Sequence, residues 1–430
     1  MQSQSNVTKE QAHRARIAVA ALFFTNGALF ANILPRYPEI KDLFDLSNSA
    51  YGFIVILFPV GAIVAGLTSA SLVRRFGSAN VAVAGMVLTA LALLAAGSSS
   101  TALLFGVFLF LGGAFDAVSD VGQNAHAMQV QKSYGRSIIN SFHATWSIGA
   151  VTGGGMAAAA IALDLSLSVH LAIVAVLFIV VLIFARMNTL PERDEVTDED
   201  NVADSAEIKE SITKVTPKAI FLLAALVLLS IAGAVMEEVG NSWATLYLSS
   251  SLGAAPAIAA FGYIALVGGQ FIGRVLGDRQ VDRWGHRAVA RTGGFVTAIG
   301  MGLALAFPTV AGSIIGFALA GYGSATLVPT AFDQADKIQG LREGTGITVI
   351  SWLMRVGNLA TPPLIGLIAD AASIREGLLL LPIAGIIVIL FSGTLPSMKN
   401  NEAEAEEAAK PFLGSRSERG VESDRLNVKQ

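Results

Sequence analysis

Twelve apolar stretches run through this chain, and its positive charge sits almost entirely in every second gap between them. The stretches cover roughly 17–35, 49–72, 78–98, 101–127, 138–160, 168–187, 218–239, 256–277, 287–307, 310–331, 346–369 and 377–395. Each is long enough to cross a ~30 Å hydrocarbon core as a helix, which takes about 20 residues. Of the 29 Lys and Arg, only Arg36, Lys41 and Arg375 fall in the opposite set of gaps, and Arg355 lies inside span 11. The rest sort to one side, including the five around gap 8–9, from Arg274 to Arg291. The positive-inside rule then predicts both termini in the cytoplasm. A wrong span count would scramble this alternation, so the charges check the count as well.

Charged residues make up only 14% of the chain, hydrophobic residues 53%, and the mean hydropathy is +0.62. Soluble domains carry about 25% charged residues, and buried helices of a soluble protein are not sorted by loop charge. The net charge of −3 says little, because the acids cluster in a central polar segment and the tail and count little toward topology. The chain has no Cys, which excludes disulfides and thiolate metal sites. Lys9, Arg14 and Arg16 ahead of an apolar run imitate a secretory signal. Without a small-residue cleavage site, and with eleven more spans following, the run reads as an uncleaved first helix. Nothing points to nucleic-acid binding.

The longest internal polar gap holds nine acids and three bases in 191–216, the composition of a flexible or partly helical linker. It divides the chain into a 1–16 N-terminus, a six-span bundle at 17–190, an acidic linker at 191–217, a second bundle at 218–397 and a disordered tail at 398–430. The halves read as diverged copies. "GAIVAGLTSASLVRRFG" (61–77) aligns with "GQFIGRVLGDRQVDRWG" (269–285), pairing Gly61 with Gly269, Arg75 with Arg283 and Gly77 with Gly285. Two six-helix repeats with a substrate site at their interface describe many secondary transporters.

The turns after spans 2 and 8 resemble the signature loop of the major facilitator superfamily, G-x-x-x-D-R-x-G-R-R. The second copy has Gly277, Asp282, Arg283, Gly285 and Arg287; the first keeps Arg75 and Gly77 but has Arg74 where the Asp belongs. The resemblance implies an all-α fold of two pseudo-symmetric six-helix bundles, with these loops latching the cytoplasmic gate. Within the superfamily, "LPRYPEIKDLFDLS" (34–47), "QNAHAMQV" (123–130), "GRSIINSFHATWSIGA" (135–150), "GNSWATLYL" (240–248) and "GRVLGDRQVDRWG" (273–285) are similar to the fucose/proton symporter group, most closely to the YbjJ-type bacterial inner-membrane transporters. That implies a multi-pass protein of the bacterial inner membrane, working as a monomer on a small-molecule substrate and a proton. Spans 1, 4, 5, 7, 10 and 11 line the cavity in this fold.

Asp116 and Asp120 lie four apart in span 4, on one helix face. A carboxyl at membrane depth faces an internal cavity as a rule, and burial favours its neutral form, which suits a proton carrier. Asp120 with Asn124 resembles the E-x-x-x-N of the symporter group, whose acid takes up the coupling proton. The plainer reading pairs Asp120 with Arg74 or Arg75. Span 1 offers Asn26 and Asn32 where the group has an acid. Arg355, deep in span 11, needs either an anionic substrate or an internal partner among Asp120, Asp116 and Glu237. Glu237 and Glu238 close span 7, with Trp243 beyond, either stacking on substrate or anchoring at the interface. His143 and Trp146 in span 5 are either a binding surface or helix–helix hydrogen-bonding groups. Asp333 and Asp336 read as solvated or latch residues.

The expectation is a secondary active transporter, proton-coupled, for a small polar solute, sugar-like or an organic anion. A proton-antiporting exporter of the same fold is the alternative. A sensor would need a soluble domain, and an enzyme would need a phosphate loop or metal motif that the sequence lacks. No cofactor or metal is expected.

Overall fold

The computed structural model describes residues 8–134, 138–191, 216–338, 341 and 344–397. The acidic linker lies almost wholly outside the described residues, and the 398–430 tail lies outside them entirely. Nine helical stretches are long and apolar enough to cross a bilayer among the described residues. One of them, Pro256–Ala306, holds two crossings joined at Gly285. Spans 5 (Ile139–Ala162) and 11 (Thr345–Ala371) complete the twelve. Both carry enough Gly, Ser, Thr and polar side chains to fall short on hydropathy alone. Several helices outrun their apolar core. Span 1 starts at Lys9, fixed by a capping box of Thr8 and Gln11. Span 4 is Ala102–Tyr134, and span 7 is Pro217–Leu246, so Glu237 and Glu238 lie within span 7 rather than at its end.

The repeat read from the sequence returns as packing. Gly77 and Gly285, 208 positions apart, both have φ near +80° (84° and 79°), a turn that only glycine enters cheaply. Helix contacts repeat at the same offset. A Cβ on Gly61 would fall 2.0 Å from the Phe110 carbonyl oxygen, and one on Gly269 would fall 2.0 Å from that of Ala318. Gly113 against Phe58 and Gly321 against Leu266 are equally close, at 1.9 Å each. Spans 2 and 4, and their mates 8 and 10, therefore touch backbone to backbone. Small-residue contacts of this kind are what drive helix association where lipid removes the hydrophobic force.

The face bearing Lys9, Arg74, Arg75, Arg283 and Lys337 is here the basic face, and the opposite one the far face. The bundles meet in the far half. Span 2 crosses span 11 where Gly52 faces Pro362 and Gly366 faces Asn48. Span 5 crosses span 8 where Gly154 meets Tyr263 and Ile264. The Tyr51 hydroxyl donates to the Ser242 carbonyl, and its ring stands edge-on to Trp243 at 5.1 Å. Asp370, one residue past the 346–369 stretch, reaches across to accept from the Asn48 and Ser49 amides at 2.9 Å each and from the Ser49 hydroxyl. It thereby caps the N-terminus of helix Asn48–Val55, where a carboxylate is favoured. On the basic face the described contacts stay inside each bundle: Arg74 with Ser71, Gln280 with Tyr322, His286 with Thr330, Lys337 with Asp333. Among the described residues, close contacts and hydrogen bonds join the bundles on the far face, and the basic-face bonds named here do not cross between them.

Two outcomes follow from this packing. Gly113→Ala and Gly321→Ala should each lose about 1–3 kcal/mol from overpacking in denaturant titrations of the detergent-solubilised protein. Gly155→Ala, with no atom within 4 Å of the added carbon, should be neutral or slightly stabilising. Equal losses at all three would refute the backbone-contact account.

The Asp370 bridge makes the closed far face pH-sensitive. The Ser49 hydroxyl, then the two amides, hold its carboxyl below the usual carboxylate range. A lowered value means that ionisation favours the closed form. The bridge is complete above about pH 4, the ordinary carboxylate value, and weakens as pH falls through and below it. Asp370→Asn or acid pH should therefore populate a form open on the far face. The absence of Cys allows clean spin labels at Ser100 and Ser251. A Ser100–Ser251 distance that ignores both changes would count against the latch.

Candidate functional site

Polar side chains of spans 1, 4 and 5 meet those of spans 7 and 8 at mid-depth between the bundles, and the exposure of Asp120, His143, Arg274 and, in part, Glu237 and Trp146 marks the accessible space there, here called the cavity. Asn26 organises the first wall. Its amide nitrogen donates to Asp116 at 2.8 Å, and its oxygen accepts the Trp146 indole N–H at 2.8 Å. Three spans are thus tied through one amide. One helical turn toward the basic face, exposed Asp120 accepts from Gln123 at 2.8 Å and from Asn124 at 3.0 Å. His143 stands edge-on to Phe23 with ring centroids 5.3 Å apart, within electrostatic reach of Asp120 and Arg274.

The second wall carries a charged pair that the sequence reading missed. Arg274 was grouped with the basic flank of gap 8–9. The structure places it in the cavity instead, on a face of span 8 that also holds Gln270 one turn away. Its guanidinium lies 3.8 Å from Glu237, 3.4 Å from the Ser147 hydroxyl and 6.0 Å from the Trp146 ring centroid. Gln270 donates to the same Glu237 oxygen at 2.7 Å. A polar chain thus runs Asp116, Asn26, Trp146, Arg274, Glu237, Gln270 from one bundle to the other. The available signal was the i, i+4 pair Gln270 and Arg274 beside the glycines at 269, 273 and 277. Window averaging over Ile, Val and Leu hid it.

Other expected site residues are placed differently. Asn32 is fully buried, bonded to the Ala28 carbonyl at 2.8 Å and to His170 at 3.0 Å, so it braces span 1 against span 6 and does not meet the cavity. Trp243 is neither a cavity platform nor an interfacial anchor. It is 0% exposed, packed against Tyr51 in the far-face seal. Glu238 accepts from the Ser242 hydroxyl beside that seal. Arg355 is exposed on the face of span 11 shared with Ser351 and Asn358, and has no ion pair with Asp116, Asp120 or Glu237 among the described residues. Asp120 is not paired with Arg74 or Arg75, which bond Ser71 and lie by the Phe76 ring. Asp333 pairs with Lys337 at 2.8 Å on the basic face, and no cluster of His, Asp and Glu fit to hold a metal occurs among the described residues.

The profile of the Major Facilitator Superfamily matches residues 19–280 and 234–421. A relative from Sinorhizobium fredii, the uncharacterized transporter y4wD, is 28% identical over 381 residues, covering 89% of this chain and 97% of that protein. A crystal structure of a mutant of the nucleoside transporter NupG superposes with a TM-score of 0.68 at 13% identity, covering 89% of this chain and all of that one. The D-xylose–proton symporter superposes with a TM-score of 0.65 at 18% identity, over 91% and 99% of the two chains. That profile, which spans most of the chain, together with twelve helical crossings among the described residues packed as two glycine-lined repeats, makes the chain a member of the Major Facilitator Superfamily.

Proposed function

We propose that the chain is a proton-coupled secondary transporter of a small polar solute, working as a monomer by alternating access. The motif likeness to the fucose/proton symporter and YbjJ-type group supports the grouping within the superfamily. The basic face is taken as cytoplasmic, which makes the described form inward-open. The observation that carries the coupling is the company kept by the span 4 acids. Asp116 and Asp120 are held by amides, Asn26, Gln123 and Asn124, rather than by cations. Such a carboxyl can gain or lose a proton without leaving a stranded positive charge behind.

Asp116 offers a direct link from proton to solute. Its ionised form accepts the Asn26 N–H, and Asn26 in turn holds the Trp146 indole. Protonation weakens the first bond, because a charged acceptor makes the stronger one. Asn26 and Trp146 are then free to shift against whatever lies in the cavity. Asp120, the more accessible of the two, receives the proton from the aqueous side. His143 stands by to relay it, as an imidazole can near neutral pH.

The test is proton movement in proteoliposomes loaded with a pH-sensitive dye, screened against sugars, polyols, organic acids and nucleosides. Wild-type protein should give a solute-triggered pH change. Its sign separates symport from antiport. Asp120→Asn should abolish uphill accumulation, lowering it by at least tenfold while leaving solute exchange measurable. Asp116→Asn should reduce both accumulation and affinity, because it also disturbs Asn26. Solute flux in wild-type protein without any proton signal would overturn the coupling.

A further inference from the structure

Arg274 is the cavity cation, and its bonding is incomplete. A guanidinium offers five N–H donors, and charge-assisted bonds to a carboxylate run about 2.7–2.9 Å. Arg274 reaches Glu237 only at 3.8 Å and Ser147 at 3.4 Å, with 38% of its side chain accessible. Arg36, elsewhere in the same chain, shows tighter bonding: it is 3% exposed, and its two terminal nitrogens bond Glu39 at 2.6 Å and the Leu165 carbonyl at 2.7 Å, with only Nε unpartnered. The cavity acids differ from Arg274. Asp116 has Asn26, Asp120 has Gln123 and Asn124, and Glu237 has Gln270, all within 3.0 Å. The unmet demand is therefore for an anion at Arg274.

We infer that Arg274 is the residue that selects the solute, and that it selects a carboxylate. The solute's carboxylate takes the guanidinium in the bidentate fork that Glu237 does not form, and its body lies along Trp146. Glu237 is the internal counter-ion that keeps Arg274 poised in the empty cavity. When the solute displaces it, Glu237 stays held by Gln270, so no acid is left bare. A neutral hydroxyl is the weaker ligand at this position, since it brings no charge to set against the guanidinium and cannot form the two parallel bonds of a carboxylate. The site also joins the halves: Arg274 belongs to span 8 and Trp146 and Ser147 to span 5, so a bound carboxylate touches both bundles where alternating access needs it. The inference rests on the transporter reading and narrows its solute to an organic anion.

The experiment is binding to the purified protein in nanodiscs, with matched pairs that differ in the carboxylate: glucuronate against glucose, galactonate against galactitol, quinate against inositol. Tryptophan fluorescence and calorimetry give the affinities, and thermal melting checks each variant's fold. At least one acid should bind, with its neutral partner at least tenfold weaker. Arg274→Gln should weaken that acid at least tenfold and erase the preference, and Arg274→Lys should restore part of it. Trp146→Leu should weaken acid and neutral members together. A panel in which no acid binds, neutral members binding as well as acids, or a well-folded Arg274→Gln with unchanged affinity would each overturn the assignment. Flux measurements separate the two readings. Uptake of a neutral solute untouched by Arg274→Gln sinks the selector and leaves the carrier standing. Carboxylate binding without any flux does the reverse.

Discussion

A bilayer offers no water to a polar group, so every hydrogen bond that a spanning chain needs must come from the chain itself. That constraint shapes this protein at each level. It makes every crossing a helix. It leaves helices without a hydrophobic reason to associate, since lipid is as apolar as leucine, and hands the task to close contact and to polar bridges. The close contacts are the glycine positions of spans 2, 4, 8 and 10, where backbones touch at carbonyl oxygens. The polar bridges are drawn to the surface between the bundles, the one place where carboxylates, an indole N–H and a guanidinium can find one another. A cavity rich in such groups is the result of exclusion from lipid before it is anything else.

The division of labour between packing and polarity also explains why the two faces differ. The far-face seal is built of tight, short-range contacts: Gly52 on Pro362, Gly366 on Asn48, Tyr51 on Trp243 and Ser242. Between the bundles at mid-depth, by contrast, the contacts are long, as with Arg274 to Ser147 at 3.4 Å. The alternating access proposed above has to break the first set and remake another on the basic face. The rigid units are the glycine-locked helix pairs within each bundle, and the yielding parts are the Asp370 cap and the loose ion pair. Asp370 is the exposed carboxylate of the far-face seal, which is why the cap it makes weakens as the pH falls.

Much of this was legible in the sequence, and for physical reasons. Loop charge sorts across a membrane, so the alternation of Lys and Arg gave a crossing count, which the helices of the described residues match. Gly77 and Gly285 align in the sequence repeat, and both take φ near +80° with an extended ψ, a combination that glycine alone enters cheaply. Asp116 and Asp120 stood out because carboxyls at such depth are rare. What stayed hidden depended on neighbours brought in from another helix. Asn32 reads like Asn26, yet one meets His170 and the other Asp116 and Trp146. Trp243 reads like an interfacial Trp, yet Tyr51 of the other bundle covers it. Arg274 was lost because a cation close to a basic loop is what topology predicts, and only the Glu237 opposite shows that it turns inward.

The misplacement of Arg274 bears on how a transporter uses charge. A buried ion pair in ideal geometry is a poor binding element, since a ligand must break strong bonds to enter. A lone guanidinium is worse, because its desolvation is uncompensated. The arrangement here lies between the two. Glu237 is near enough to offset the charge of Arg274 and too far to satisfy its donors, and Gln270 holds the acid at that distance. Moving Glu237 a single ångström closer would stabilise the empty cavity and weaken any ligand by the same interaction. A carrier must release what it binds on every cycle, so a half-satisfied cation held by an independently anchored acid suits it better than a tight pair. On the proposed carboxylate reading, Gln270, which holds Glu237 at 2.7 Å, sets the affinity of the site through the position of that acid.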